Sequence, residues 1–430
     1  MTERATLLFV LIGTLSLFAT CAKGEWPKQA FILPLNHVAH IHMFCVAFSP
    51  QSAAELQSAV DECLQTMILI NCSSGWRGPM SEWDVSAVTD MQKTLANPGI
   101  YFNDDLSKWD VSRVTNMREM FLNAESFNHD LSRWDVARVT GMREMFANAK
   151  LFNQNLTIWN VSHVIDMNSI FGTAVSFNQD VSDWDVSRVI NMRGMFANAQ
   201  FFNQDVSEWD VSHVTDMEQL FVNAETFNRE LYEWNVSSVT DMSWMFYCAL
   251  SFNQDLSKWD VSRVADMHGM FANASSFNQD LSEWNVSQVT DTEQMFLEAN
   301  AFNQDLSKWD VSRVEDMDQM FYKARSFRQR LCGEAWVNSN ATKEDMFLDT
   351  LGSISMTACS TCYIDFVCFV TFIFHFSVSF ACLYPNTETI VFAFTTEDTP
   401  ALRVTTTISG TLPHIHTLLV NEHAICFASS

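Results

Sequence analysis

Acidic side chains recur at 25-residue steps through the middle of the chain, at Asp105, Asp130, Asp180, Asp205, Glu230, Asp255, Asp280 and Asp305. Like charges brought within a Debye length repel unless amides, caps or cations offset them, so calcium binding is the chemistry this row could do. The spacing carries no EF-hand or glycine-rich calcium-loop pattern, and Asp here, like Asn253 and Asn278, reads more simply as a turn residue tied through its side chain. A second row is basic: Arg113, Arg138, His163, Arg188, His213, Arg263 and Arg313, interrupted at Ser238 and Gln288. It could contact a partner, and the competing reading is a solvated row paired with nearby acids, a weak interaction at a surface.

Other residue types offer less. No phosphate-binding glycine loop, HExxH or nucleophile elbow is present, and Gly totals only 12. His37, His40 and His42 near Cys45, and His414, His416 and His423 near Cys426, lack a paired CxxC at zinc spacing and read as incidental. The expectation is a protein without catalysis, cofactor or metal. Sequons stand at Asn71, Asn155, Asn160, Asn235, Asn273, Asn285 and Asn340, candidate glycosylation sites in a secreted chain. Three of them, Asn160, Asn235 and Asn285, arise where Asn replaces a recurrent Asp before Val and Ser.

The elements that must position these residues are repeats. Read from Phe252, the unit FNQDLSKWDVSRVADMHGMFANASS occurs nine times over residues 102–326, each copy opening on Phe and carrying Trp at its eighth place and Val at its tenth and thirteenth. Met267, Met270, Phe271 and Ala274 fall at i, i+3, i+4 and i+7, the stripe of a short helix. Asp216 with Gln219, Asp291 with Gln294, Asp316 with Gln319 and Asn116 with Glu119 look like capping boxes at its start. Before it, Arg263, Val264 and Ala265 suit a strand of three or four residues, which would turn the basic twelfth-place residues outward. Stacked copies would pair these strands in parallel and bury a Phe, Trp, Val and Met ladder that no single unit could bury alone. The recurrent tryptophans therefore read as core rather than as sugar platforms.

The ends depart from the unit. Residues 52–55 (SAAE), just after Pro50, open an amphipathic helix to about Gln65, within an N-terminal region over residues 23–75. Residues 76–101 form a degenerate half-repeat around Trp83, 26 residues before Trp109. Residues 327–362 continue the pattern as a C-terminal cap, with a step of 27 from Trp309 to Trp336. Residues 1–22 have the layout of a secretory signal peptide: Arg4, an apolar run over 5–19, then small residues. The tail over 363–430 is Phe- and Thr-rich, and its stretch 366–384 (FVCFVTFIFHFSVSFACLY) is long enough for a membrane helix yet alternates like a strand.

Composition narrows the partners. The formal charge is -26, with 51 acidic against 25 basic residues, which disfavours nucleic acid and an anionic membrane face. Eleven cysteines lie mostly in the flanks, with Cys248 alone inside the nine units, so the array does not depend on bridges.

The string FNQDLSxWDVSxVTDMxxMF resembles the BspA-like leucine-rich repeat family, which carries a domain of unknown function found in mycoplasma surface lipoproteins and in repeat proteins of bacteria, microalgae and protists. The likeness covers about residues 83–347. It implies an α/β repeat solenoid, right-handed and leucine-rich-repeat-like, with one short parallel strand and one short helix per 25-residue coil. It also implies a surface location and a role in adhesion or recognition. Cys332 and Cys359 resemble the family's cysteine-bearing C-terminal cap and are its disulfide candidates. The expected function is that of a secreted or cell-surface protein binding an extracellular protein or glycan, with a passive structural coat or rod as the alternative.

Overall fold

A computed structural model describes residues 48–65 and 77–359 in full, and elsewhere the backbone of seven strands. It divides into two units, Met1–Cys359 and Ser360–Ser430.

The first unit contains β1 (Lys28–Phe31) paired antiparallel with β2 (His42–Cys45), then α1 (Ala53–Gln65). Ser52 Oγ accepts the Glu55 amide at 3.2 Å, and Glu55 Oε2 accepts the Gln51 amide at 2.9 Å. Those reciprocal bonds satisfy donors that a helix start leaves open. Leu56, Ala59, Val60 and Cys63 of α1 join the same apolar cluster as the repeats, so this helix covers their first end.

From Asp90 to Thr342 the chain forms a ladder of ten parallel bridges, each joining fifteenth-place residues one repeat apart: Asn116 to Gly141, Gly141 to Asp166, and so on to Asp316 and Thr342. The units therefore stack as successive coils. Inside the stack, Phe, Leu, Trp, Val and Met of each coil are buried; Phe152, Leu156, Val164 and Met167, for example, have no exposure at all. First-place rings stack on one another, as Phe152 on Phe177 at 6.2 Å, and each twentieth-place ring stacks closely on the first-place ring of the next coil, as Phe171 on Phe177 at 3.8 Å. Each array tryptophan donates its indole N–H to the fifth-place carbonyl of the preceding coil, for instance Trp184 to Leu156 at 3.1 Å, so its one polar atom is satisfied inside the core.

The second half of each unit is not a helix. Its backbone makes two successive four-residue turns, closed in the second coil by Met145 N–H to the Met142 carbonyl and Ala149 N–H to the Phe146 carbonyl, both at 3.0 Å. The third residue of each turn has positive φ, as Glu144 at 54° and Asn148 at 60°, which a type II turn requires and an α-helix forbids. The amides in between point along the stack: Glu144 N–H donates to the Asn168 carbonyl, Phe146 to Ile170 and Asn148 to Gly172. Two four-residue turns bring the sixteenth, nineteenth, twentieth and twenty-third side chains inward, the same spacing as a helical stripe, while letting half the amides bond the neighbouring coil. The expected strand is also shorter than its sequence suggests. Pairing is confined to the neighbourhood of the single fifteenth-place bridge, as with Ala265 N–H to the Thr240 carbonyl at 2.9 Å.

The last coil is closed by β3 (Arg330–Leu331) pairing in parallel with β4 (Ser353–Ile354), with the short α2 (Glu334–Val337) between them and a disulfide joining Cys332 to Cys359. Trp336 and Phe347 extend the buried ladders into this cap.

In the second unit, β5 (Ser377–Phe380), β6 (Val391–Thr396) and β7 (Thr399–Thr405) form an antiparallel sheet, and β8 (Leu418–Val420) pairs with β9 (Ala424–Cys426). Part of the candidate membrane stretch, Ser377–Phe380, is thus strand, in line with its alternation, and no helix of the described residues is long and apolar enough to cross a membrane. The rest of that stretch, residues 1–22, Asn71 and Cys362 lie outside the described residues, as do the side chains of the two His-rich segments.

Candidate functional site

The basic row is brought together and faces solvent. Arg113, Arg138, His163, Arg188, His213, Arg263 and Arg313 are all exposed. Their position is set by a turn rather than by a strand: Val114 N–H donates to the Val111 carbonyl at 2.9 Å, and the same closure recurs in each coil with the twelfth residue third in the turn. The flanking valines point inward and are buried, so the residue between them must project out. Among the described residues, none of these seven makes an ion pair; the array's ion pairs lie in other rows, as Lys258 with Glu233 at 2.9 Å and Lys150 with Glu125 at 3.0 Å. The row's hydrogen bonds are to neutral groups, and the Asp210 carboxyl, lowered first by the Ser212 hydroxyl and amide, is also lowered by His213 close by. Arg313 donates to Gln288 Oε1 at 2.6 Å, and His163 and His213 lie 3.4 Å from the hydroxyls of Ser162 and Ser212.

The fourth-place aspartates tie turns. Asp105, Asp130, Asp180 and Asp205 each accept the amide of the serine two residues on, and that amide and hydroxyl hold each carboxyl below its ordinary range. The ninth-place residue does the same whether it is Asp or Asn: Asp185 accepts from the Ser187 amide at 3.1 Å and Asn160 from the Ser162 amide at 3.1 Å. No group of three or more potential metal-binding side chains occurs among the described residues. Asn155, Asn160, Asn235, Asn285 and Asn340 are exposed and Asn273 is half-buried.

The second-place asparagines do not tie turns within a coil. Asn153 Oδ1 accepts the Asn178 amide of the next coil at 3.0 Å and also the Gln179 side-chain amide at 2.9 Å. This ladder links coil to coil, a role visible only once the 25-residue step is a contact distance. The fifteenth-place residue accepts an amide two residues on, as Asp216 from Glu218 at 3.0 Å, but the Gln or Glu three places on does not reach back to it: Gln219 donates to Glu218 instead.

Two further features are not announced by the hydrophobic pattern of the sequence. Left-handed backbone falls at the eighteenth and twenty-second places in every coil, and its signal is Asn at the latter in Asn123, Asn148, Asn198, Asn223 and Asn273, with Gly194 and Gly269 at the former. Carboxylates also run unbroken at the fifteenth place from Asp216 to Asp316. Asp216 and Asp266 sit there with carboxyls raised above their usual range, chiefly by loss of solvent and partly by the neighbouring carboxylates.

These observations define a tandem-repeat protein with an exposed basic row and turn-tying acids. The family described as Mycoplasma protein of unknown function, DUF285, matches residues 64–184, 173–281 and 251–355 in tandem, and the chain belongs to that family. No curated protein and no solved structure matches it.

Proposed function

We propose that this chain is a non-catalytic secreted or cell-surface protein that recognises an extracellular protein or glycan through its basic row. The array would then be a right-handed, leucine-rich-repeat-like solenoid of the BspA-like kind, with turns in place of the helices. The observation that carries this reading is the row itself: Arg and His side chains exposed at one place in seven of the nine coils, without ion-pair partners among the described residues, on a chain of net charge -26. Charge that the fold does not tie up in ion pairs is available to a partner, and complementary potentials set specificity and encounter rate.

The test is charge reversal of Arg138, Arg188 and Arg263 together, with binding to cultured cells and extracellular matrix measured alongside thermal unfolding. The expected result is loss of binding with unfolding unchanged. Equal binding by the folded variant would instead support a passive rod. Secretion is tested separately, by expressing the full chain in a eukaryotic host and asking whether it reaches the medium or stays with membranes after carbonate extraction.

A further inference from the structure

One pair of residues breaks the repeat in a coordinated way. At the eighteenth place every coil passes through positive φ, and Glu119, Gln219, Gln294 and Gln319 all adopt it. Backbone conformation therefore does not demand glycine there. Gly269 has another reason: a Cβ on it would fall 2.4 Å from Cε3, 2.5 Å from Cζ3 and 2.7 Å from Cδ2 of Trp244. Trp244 holds the same place one coil earlier, at φ 57°, and is the sole aromatic at that place among the nine coils. A bulky side chain in left-handed backbone is disfavoured and draws attention to what it does there.

The indole rests against Gly269 and stays half-buried, not sealed in the core. The His268 ring lies 4.6 Å from it and Tyr247 meets it edge-on at 5.1 Å. Beyond the indole, His268 Nδ1 is 3.7 Å from Glu293 Oε2 and 3.9 Å from Asp291 Oδ2. Elsewhere the molecule covers surface tyrosines with its own cations, Lys258 over Tyr232 at 4.0 Å and Lys323 over Tyr322 at 4.8 Å. Among the described residues, no Lys or Arg lies over Trp244 or Tyr247.

We infer that Trp244, with Tyr247 and His268, is a docking platform for an arginine-bearing segment of a partner protein. A guanidinium stacks on an indole face better than any other side-chain cation and is planar enough to reach a carboxylate beside it. Glu293 and Asp291, one contact removed from the indole through His268, supply that carboxylate, so the patch is complementary in sign to arginine and opposite in sign to the basic row. The platform is independent of the function proposed for that row.

The experiment titrates the full chain with a capped hexa-arginine peptide, a capped hexa-lysine peptide and cellohexaose by calorimetry. Hexa-arginine should bind more tightly than hexa-lysine. Trp244→Gly, which suits the backbone as Gly194 does, should weaken hexa-arginine roughly 3- to 30-fold, the range of a cation on an aromatic face. Gly269→Gln, the residue other coils carry at this place, should displace the indole and weaken binding likewise, so either variant carries the test if the other folds poorly. Unchanged hexa-arginine affinity in both folded variants would overturn the platform. So would cellohexaose binding that both variants abolish while peptide binding persists, which would make it a saccharide site.

Discussion

Each array tryptophan spends its N–H on the preceding coil, and this makes the two parts of its contribution separable. Trp184→Phe keeps an apolar ring but leaves the Leu156 carbonyl without the indole donor, at an expected cost of about 1 to 2 kcal/mol. Trp184→Ala adds a cavity and should cost about 3 to 5 kcal/mol. Denaturant unfolding of both variants checks the order: no loss in Trp184→Phe would show that the hydrogen bond is immaterial, and equal losses would show that the ring's packing is. At the fifteenth place Asn116 and Asn191 accept the same turn amide as the aspartates do, so the turn does not require charge. Asp216→Asn and Asp266→Asn should therefore stabilise the fold at pH 7 by about 0.5 kcal/mol each, the scale of a surface charge interaction. The sign follows from carboxyls raised on folding: ionising them opposes the fold, the penalty is fully present above the folded pKa, and it disappears as pH falls below the unfolded one. Melting curves at pH 7 and pH 3 should show the gain only at the higher pH.

Among elements, the paired turns matter most, and they are where the sequence misleads. Met267, Met270, Phe271 and Ala274 carry a helical spacing and are all buried, so the inward face was legible. The element type was not, because two four-residue turns and two turns of helix bury nearly the same positions. What separates them is which residues must take positive φ, and five asparagines at the twenty-second place were the sign. Of the other four residues there, Thr173, Cys248, Glu298 and Lys323, only Thr173 is β-branched, at φ 59°. Thr173→Asn should relieve that strain and restore the side-chain ladder seen between Asn148 and Asn123 at 2.8 Å, raising stability by roughly 1 kcal/mol. A helix at this place would gain far less from Asn, so the sign of the change in unfolding midpoint discriminates. The basic row teaches a similar lesson: its outward direction could be read from the valines on either side, while its placement on a turn could not.

At the scale of the array, contacts between coils replace contacts between distant elements, and its stability should behave as a sum over neighbours. Excision of residues 202–226, one full coil, rejoins Phe201 to Phe227 in register and should leave a shorter folded protein. Excision of residues 202–213 should not fold, because it places every later ring out of step with its neighbour. Circular dichroism and scattering distinguish the two. The recurrence was fully visible in the sequence because each unit repeats its aromatic residues at fixed places; the inter-coil asparagine ladder was not, since residues 25 apart look unrelated until the stacking is known. The coil's regularity presents several repeated faces to solvent, and the proposal assigns recognition to the twelfth-place one. The most direct measurement places the photoreactive residue p-benzoylphenylalanine at Ser238 or Gln288, the natural gaps in the basic row, and separately at Ser132 and Ser257 on fourth-place turns, then irradiates each protein on intact cells. Covalent adducts should form from Ser238 and Gln288 and not from Ser132 and Ser257; adducts of equal yield from all four, or from Ser132 and Ser257 alone, would contradict recognition through the basic row.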